Sequence, residues 1–327
     1  MRAVITGGAG FIGTNLAIAL LERGDTVTIV ELPTADCSHL PPEVRVVRAN
    51  INRKNELAGI FENQQIVYHL AARTDLDGRH IKEYETNYAG TVNVIEEIRR
   101  GGGVKRFVFY STQLVVGLFN ETRFIDESEP YKTTTIYGKS KILGEKSTVD
   151  LCTKYSIPFT IIRPTAVYGP YGKEPYQNLF KLIREGRYFH IGKGSNLVSM
   201  VYVKNLVELT LLLSGSEEAS GGIFFGNDFH PYTMREFADA IAGFYRKNLL
   251  TVPNVIAYPA AYLLGLLKLF GLNVPLYPFR LRNIKANSCY DIHNSVRLGY
   301  NPRHDLHSGV FETLEWYEQN VWNKKSL

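Results

Sequence analysis

The stretch Thr6-Gly7-Gly8-Ala9-Gly10-Phe11-Ile12-Gly13 constrains this chain more than any other. An apolar run, Ala3–Thr6, leads into it and a helix-period run, Ile12–Arg23, leads out. In a strand–turn–helix of this kind Gly7 permits the tight turn and Gly10 lets the backbone approach a diphosphate. Gly13 lets the helix pack on the sheet, and the helix N-terminus offers unpaired N–H groups to the anion. Phe11 and Ile12 open that helix and belong to the same cradle. The spacing is G-x-x-G-x-x-G, a variant of the dinucleotide fingerprint. A second apolar run, Thr26–Glu31, ends in an acid about 20 residues further on, where a carboxylate accepts hydrogen bonds from a ribose diol. A phosphate on that ribose would be repelled by Glu31. The following Leu32-Pro33-Thr34-Ala35-Asp36 contains no Arg or Lys. The pattern selects NAD over NADP.

Further strands are predicted at Val44–Arg48, Ile66–Leu70, Arg106–Ser111 and Phe159–Arg163. Helices are predicted at Asn55–Gln64, Tyr88–Arg100 and Ile136–Tyr155. Alternating strand and helix implies a doubly wound parallel sheet with right-handed crossovers. The rhythm changes at Tyr168-Gly169-Pro170-Tyr171-Gly172. A strand–helix pair, Met200–Val203 and Lys204–Leu213, is expected to return to the sheet. This divides the chain into a Rossmann domain, 1–168 plus about 198–226, and a smaller mixed α/β substrate domain, 169–197 and 227–327. At 327 residues the chain is long enough for both.

Thirty-seven Lys+Arg against 32 Asp+Glu, a net charge of +5, does not make a nucleic-acid binder. Three Cys are too few for a disulfide framework. Met1-Arg2 runs directly into the first strand with no secretory n-region, so a cytoplasmic location is expected. The apolar run Ile256–Leu272 is broken by Pro259 and Lys268. It reads as a buried helix, and no integral membrane segment is expected. His190, His230, His293, His304 and His307 show no ligand spacing, so no metal is expected.

Tyr137-Gly138-Lys139-Ser140-Lys141 sets a Tyr and a Lys four apart, on one face of a helix. A nearby ammonium favours tyrosinate and would lower the phenol pKa. Such a Tyr can exchange a proton with a hydroxyl while a hydride moves to or from nicotinamide. Tyr168, Tyr171 and Tyr176 are the aromatics expected to line a pocket.

Taken together, these motifs resemble the extended short-chain dehydrogenase/reductases, the NAD-dependent epimerase/dehydratase family. The resemblance runs nearly end to end. It rests on Gly7/Gly10/Gly13, Leu70-Ala71-Ala72, Asn87-Tyr88-Ala89-Gly90-Thr91, Ser111-Thr112, Tyr137/Lys141, Arg163-Pro164, Val167-Tyr168-Gly169-Pro170, Tyr290-Asp291 and Leu298-Gly299-Tyr300. It implies Tyr137 as acid/base and Lys141 as the residue that holds the nicotinamide ribose and tunes Tyr137. It implies Thr112, with Ser111 as runner-up, as the hydroxyl that meets the reacting oxygen. Asn50 and Ile51 match the pair that touches adenine, Asn87 a structural Asn near the active-site helix, and Leu70, Ala71, Ala72 and Pro164 the rest of the cofactor wall. The resemblance also implies a homodimer through helices near Asn93–Arg100 and Tyr137–Tyr155.

Departures from the family pattern narrow the chemistry. Gln113-Leu114 stands where nucleotide-sugar dehydratases carry Asp-Glu, which argues against 4,6-dehydration. Val198-Ser199-Met200 replaces the Arg-Asp-Tyr run whose Arg contacts a substrate diphosphate in sugar-nucleotide epimerases. Gly194-Ser195-Asn196-Leu197-Val198 is similar to the hydroxysteroid-dehydrogenase-like branch, as is Tyr258–Leu269 followed by Phe279-Arg280-Leu281-Arg282. Arg73, Gln113, Asn178, Arg280 and Arg282 are candidate substrate contacts. Arg73, Arg163, Arg187, Arg280 and Arg282 are expected to gather around an anionic substrate. Three readings follow: an NAD-dependent epimerase or keto-sugar reductase on a nucleotide-linked sugar, a 3β-hydroxysteroid-type alcohol dehydrogenase, and a non-catalytic NAD-binding protein.

Overall fold

The computed structural model describes residues 1–117, 123–172, 176–257, 259 and 287–323. Its centre is a seven-stranded, all-parallel sheet. The strands are β1 (Arg2–Thr6), β2 (Thr26–Glu31), β3 (Arg45–Arg48), β4 (Ile66–His69), β5 (Arg106–Tyr110), then Phe159–Pro164 and Ile223–Gly226. Across the sheet the order is Ile223–Gly226, Phe159–Pro164, β5, β4, β1, β2, β3. The chain moves outward from β1 to β3, then hops back to lay β4 on the other side of β1. That reversal opens a crevice beyond the carboxyl ends of β1 and β4, the place where open α/β sheets bind ligands.

Alternating side chains serve the two faces of the sheet. Ile5, Ile29, Tyr68 and Val108 pack with Leu16 and Leu20 of α1 (Phe11–Glu22) and with Leu206 and Leu209 of helix Val203–Gly215. Val4, Val30, Val67, Phe107 and Phe109 pack with Val94, Ile95 and Ile98 of α2 (Ala89–Arg100). Cys152, near the C-terminal end of α3 (Ile136–Lys154), joins this second cluster. Both faces are covered, as a parallel sheet requires. A third cluster, built on Phe180, Phe237, Ile241, Val310 and Leu314, organises the chain beyond the sheet. There the strands are two or three residues long and mixed in direction: Leu197–Val198 runs antiparallel to Tyr232–Thr233, and His190–Ile191 runs parallel to Thr251–Val252.

Two elements differ from the sequence expectation. Residues 55–64 do not form a helix; a single 3-10 turn, Lys54–Leu57, is followed by turns. Gly59 at φ +75° and Asn63 at φ +58° reverse the chain and stop helix propagation. Met200–Tyr202 does not return to the main sheet but pairs with Ala166–Tyr168 above it. The seventh strand is Ile223–Gly226, which pairs with Phe159–Pro164. No helix among the described residues is long and apolar enough to cross a membrane, and no group of three or more His, Cys, Asp or Glu among them could hold a metal ion.

Candidate active site

A cavity of about 740 Å³ lies over the crevice between β1 and β4. At one end the glycine loop forms its floor. Gly7 sits at φ +72°, and a Cβ there would lie 2.7 Å from the Ala71 backbone, so no side chain fits between the loop and β4's exit. Gly10 is the N-cap of α1, with no side chain bonded to the first-turn N–H groups and no acid in that turn. A Cβ on Gly10 would have one near neighbour, the Gly7 carbonyl at 3.2 Å, and would otherwise occupy the cavity itself. This is an open cradle with uncapped donors, and a diphosphate fits it. The Glu31 carboxylate closes this end. It accepts hydrogen bonds from Ala9 N at 3.0 Å and Leu32 N at 3.1 Å.

The opposite end is built from β5, α3 and the turn after β4. Thr135 caps α3 by accepting from Gly138 N at 3.0 Å, which fixes the first turn that carries Tyr137. Asn87 ties the wall together: it accepts from Arg73 N at 2.8 Å and donates to the Arg73 carbonyl at 2.9 Å and to Ser140 Oγ at 2.8 Å. Ser140 Oγ in turn donates to the Tyr137 carbonyl at 2.7 Å. Thr112, Tyr137 and Lys141 all line the cavity and are all buried. Burial pushes the Tyr137 phenol up to about 12, with a hydrogen bond to Thr112 opposing the shift. Burial also pulls Lys141 down to about 7, against the pull of the Glu145 carboxylate. The expectation that Lys141 lowers the Tyr137 pKa is not met in this geometry: the phenol is raised, because desolvation disfavours its charged form, as it does that of Lys141. Ser111 also lines the cavity, and its buried Oγ has no hydrogen-bond partner.

Behind this wall Arg163 and Glu145 form a fully buried, two-pronged ion pair at 2.9 and 2.8 Å, joined by the Tyr131 hydroxyl at 2.8 Å. His69 is also buried. Its ring contacts Thr6 and Thr91 at 2.6 and 3.0 Å, and burial, with the nearby Lys141, lowers its pKa to about 3.

The structure gathers most of the predicted cofactor wall on this one cavity: Gly7, Gly10, Phe11, Ile12, Glu31, Asn50, Ile51, Leu70, Ala71, Ala72 and Pro164. Asn87 braces that wall through Arg73 and Ser140. Asn52 and Thr86, which the sequence did not mark, line it as well, joined at 2.9 Å. Their contact depends on the turn after β3 meeting the start of α2, and no local spacing announces it.

The substrate candidates fare differently. Arg73 lines the cavity, but its guanidinium already pairs with Asp75 at 2.7 Å and Glu83 at 3.2 Å and stacks 4.8 Å from the Tyr84 ring. Tyr84 itself lies 6.3 Å from the Tyr137 ring. Gln113 begins a short 3-10 turn with its Oε1 buried and unpaired. Asn178 is exposed on helix Tyr176–Arg184, away from the cavity lining. Arg280 and Arg282, and most of the apolar run from Ile256 to Leu272, lie outside the described residues. Among the described residues the expected arginines do not gather: Arg163 is paired with Glu145, and Arg187 is a surface residue paired with Glu185. Tyr168 is not a pocket residue but core, packed on Tyr202 and Phe237, and Tyr171 and Tyr176 also lie off the cavity lining.

The model of the NAD dependent epimerase/dehydratase family matches residues 3–224. The chain belongs to this family, and its coenzyme is NAD. It is 30% identical to the 3beta-hydroxysteroid-dehydrogenase/decarboxylase isoform 1 of Arabidopsis thaliana, over 95% of this chain and 78% of that one. In fold it is similar to the UDP-glucose 4-epimerase of Thermotoga maritima, solved with UDP-glucose, at TM-score 0.80 and 22% identity over 98% of this chain and all of the other. It is also similar to the UDP-glucuronic acid 4-epimerase of Bacillus cereus, solved with UDP-glucuronic acid and NAD, at TM-score 0.77 and 21% identity over 98% and 99% of the two chains.

Proposed function

We propose that this chain is an NAD-dependent oxidoreductase or isomerase acting at a secondary hydroxyl of a nucleotide-linked sugar, as a 4-epimerase or keto-sugar reductase. The observation that carries the reading is the convergence of Thr112, Tyr137 and Lys141 on one wall of a cavity whose other end is a diphosphate cradle closed by Glu31. NAD, when bound, supplies the acceptor and donor of hydride. Gly7, Gly10, Phe11 and Ile12 hold its diphosphate, Glu31 its ribose diol, and Asn50 and Ile51 its adenine.

The phenol oxygen of Tyr137 takes the proton from the substrate hydroxyl in oxidation and returns it in reduction. Thr112, on the same wall of the cavity as that phenol, orients the reacting oxygen. Lys141 offsets the charge that develops on Tyr137. Neither Gln113 nor Leu114 can move a proton, so elimination of a neighbouring hydroxyl has no acid–base pair here. The reading assigns the cofactor to residues 1–168 and 198–226 and the substrate to 169–197 and 227–327.

Replacing Tyr137 with Phe removes the proton-transfer atom and keeps the ring. Turnover of the true substrate is expected to fall at least 100-fold, within the range of a lost general acid–base. Turnover within threefold of wild type would sink the assignment.

A sterol-type alcohol is the second reading, favoured by the Arabidopsis relative and by Val198-Ser199-Met200, which brings no Arg to the strand before helix Val203–Gly215. Calorimetry with UDP, GDP and dTDP separates the two. Tight binding of any one supports the sugar nucleotide; binding of none supports the sterol.

A further inference from the structure

The two most exposed large apolar side chains among the described residues, Val255 at 80% and Leu250 at 77%, stand on one short stretch of chain with Ile256 at 59%. Local structure turns them outward. His190–Ile191 and Thr251–Val252 form a two-stranded ribbon, in which His190 N donates to the Leu250 carbonyl at 2.8 Å and Gly192 N to the Val252 carbonyl at 2.9 Å. Arg235 pins that ribbon to helix Met234–Phe244. Its guanidinium donates to the carbonyls of Lys193 and Gly192 at 2.9 and 3.1 Å and to Thr251 Oγ1 at 3.2 Å. His190 turns inward and meets Asp239 at 2.8 Å, so its neighbour Phe189 turns outward and is exposed. After Pro253 the chain makes one helical turn, with Ile256 N and Ala257 N both donating to the Pro253 carbonyl at 3.0 Å. That turn buries Ala257 and leaves Val255 and Ile256 in solvent.

The rim of this surface is basic. Arg187, Lys193 and Arg246 are exposed on the segments that flank the ribbon, and Arg187 pairs with Glu185 at 3.1 Å. No Asp or Glu occurs between Asp239 and Asp291, in a chain that holds 32 of them. A surface apolar at its centre and basic at its rim fits the boundary of an anionic bilayer. There apolar side chains enter the acyl edge while Lys and Arg meet lipid phosphates. It fits a second copy of this chain less well, because a two-fold contact would set the same basic rim against itself. No helix among the described residues is long and apolar enough to cross a membrane, so such a contact is made from one side.

We propose that Phe189, Leu250, Val255 and Ile256, rimmed by Arg187, Lys193 and Arg246, form a peripheral membrane-docking surface that recognises anionic phospholipid. None of these residues lines the cavity that carries Thr112, Tyr137 and Lys141, so the surface is separate from the catalytic wall and stands under either reading of the substrate.

The test uses the full chain and sedimentation with vesicles of two compositions, phosphatidylcholine alone and phosphatidylcholine mixed equally with phosphatidylglycerol. Wild type is expected to partition onto the anionic vesicles about tenfold or more tightly than onto the neutral ones, and less tightly as salt is raised. The triple variant Leu250→Ser, Val255→Ser, Ile256→Ser changes only exposed side chains. It should keep its circular dichroism and its NADH affinity while losing about tenfold or more of the vesicle affinity. Lys193→Gln with Arg246→Gln should lose severalfold on anionic vesicles and nothing on neutral ones.

Absence of wild-type partition onto anionic vesicles would overturn the proposal, and so would equal affinity for the two compositions. Equal partition of wild type and the triple variant would overturn it by assigning the contact to another surface. A concentration-dependent dimer that the triple variant abolishes, with no vesicle binding, would overturn it in favour of a contact between copies. If the triple variant failed to fold, the charge pair decides: unchanged binding to anionic vesicles in Lys193→Gln with Arg246→Gln would overturn the proposal.

Discussion

Asp228 lies two residues past the seventh strand, Ile223–Gly226, and is 1% exposed. Its carboxylate has neutral partners: Tyr202 N at 3.2 Å, Asn205 Nδ2 at 2.7 Å and the Tyr232 hydroxyl. Burial wins over these hydrogen bonds and raises its pKa from 3.8 to about 7. The folded state therefore binds this proton more tightly than the unfolded chain. The resulting stabilisation is complete below pH 3.8 and is lost as pH rises through about 7.

A shift of roughly three units, at ~1.4 kcal/mol each, places about 4 kcal/mol of pH-dependent stability on this one group. Asp228→Asn removes the titration while keeping an acceptor for Asn205 and a donor for Tyr232. Most of the change from pH 5 to pH 8 falls below the folded-state value of about 7, so the variant should gain on wild type by roughly 2–3 kcal/mol over that interval. Urea unfolding of both proteins at the two pH values measures the gain. Other titrating groups, Lys141 and His69 among them, are common to both proteins and cancel in the difference. A gap that stays within ~0.5 kcal/mol from pH 5 to pH 8 would refute the reasoning, because it would mean that the native state hydrates Asp228 as well as the unfolded chain does.

Two further perturbations probe the walls of the site. Glu145→Gln leaves the Arg163 charge buried and unpaired. Urea unfolding at pH 7 should show a loss of ~3 kcal/mol or more, and a loss under ~1 kcal/mol would mean that solvent reaches the pair. Gly7→Ala places a Cβ where Ala71 already stands, at a φ that L residues avoid. NADH fluorescence should report at least tenfold weaker binding while circular dichroism keeps its helical signal, and unchanged affinity would show that the loop has room to shift.

What the sequence announced and what it hid divide along a physical line. The glycine loop, Glu31 at the end of the next strand, and Tyr137 with Lys141 one helical turn on are each set by local backbone geometry, so their spacing is visible in the string of residues. Arg48, Asn52, Tyr84 and Asp228 act on parts of the chain that strand order and packing bring to them. Arg48 reaches the β2 turn because β3 is the parallel neighbour of β2, and Tyr84 nears Tyr137 because the turn before α2 packs on α3. The strand Ile223–Gly226 went unmarked because four residues after Gly221-Gly222 carry little periodicity. The segment 55–64 has helical periodicity, but Gly59 at positive φ overrules it. Tyr168 looked like a pocket aromatic because it stands beside a glycine–proline turn, yet its ring is sandwiched in the third core cluster.

The electrostatics of the catalytic wall follow from the same burial that hides it from the sequence. Desolvation holds Tyr137 protonated and lowers Lys141 to about 7, and it fixes His69 neutral between Phe107 and Phe109. Burial makes a phenolate costly in this wall, and an ammonium too, while Glu145 behind them favours the ammonium. The buried Arg163–Glu145 pair places that carboxylate behind Lys141 and holds it there by two charge-assisted hydrogen bonds.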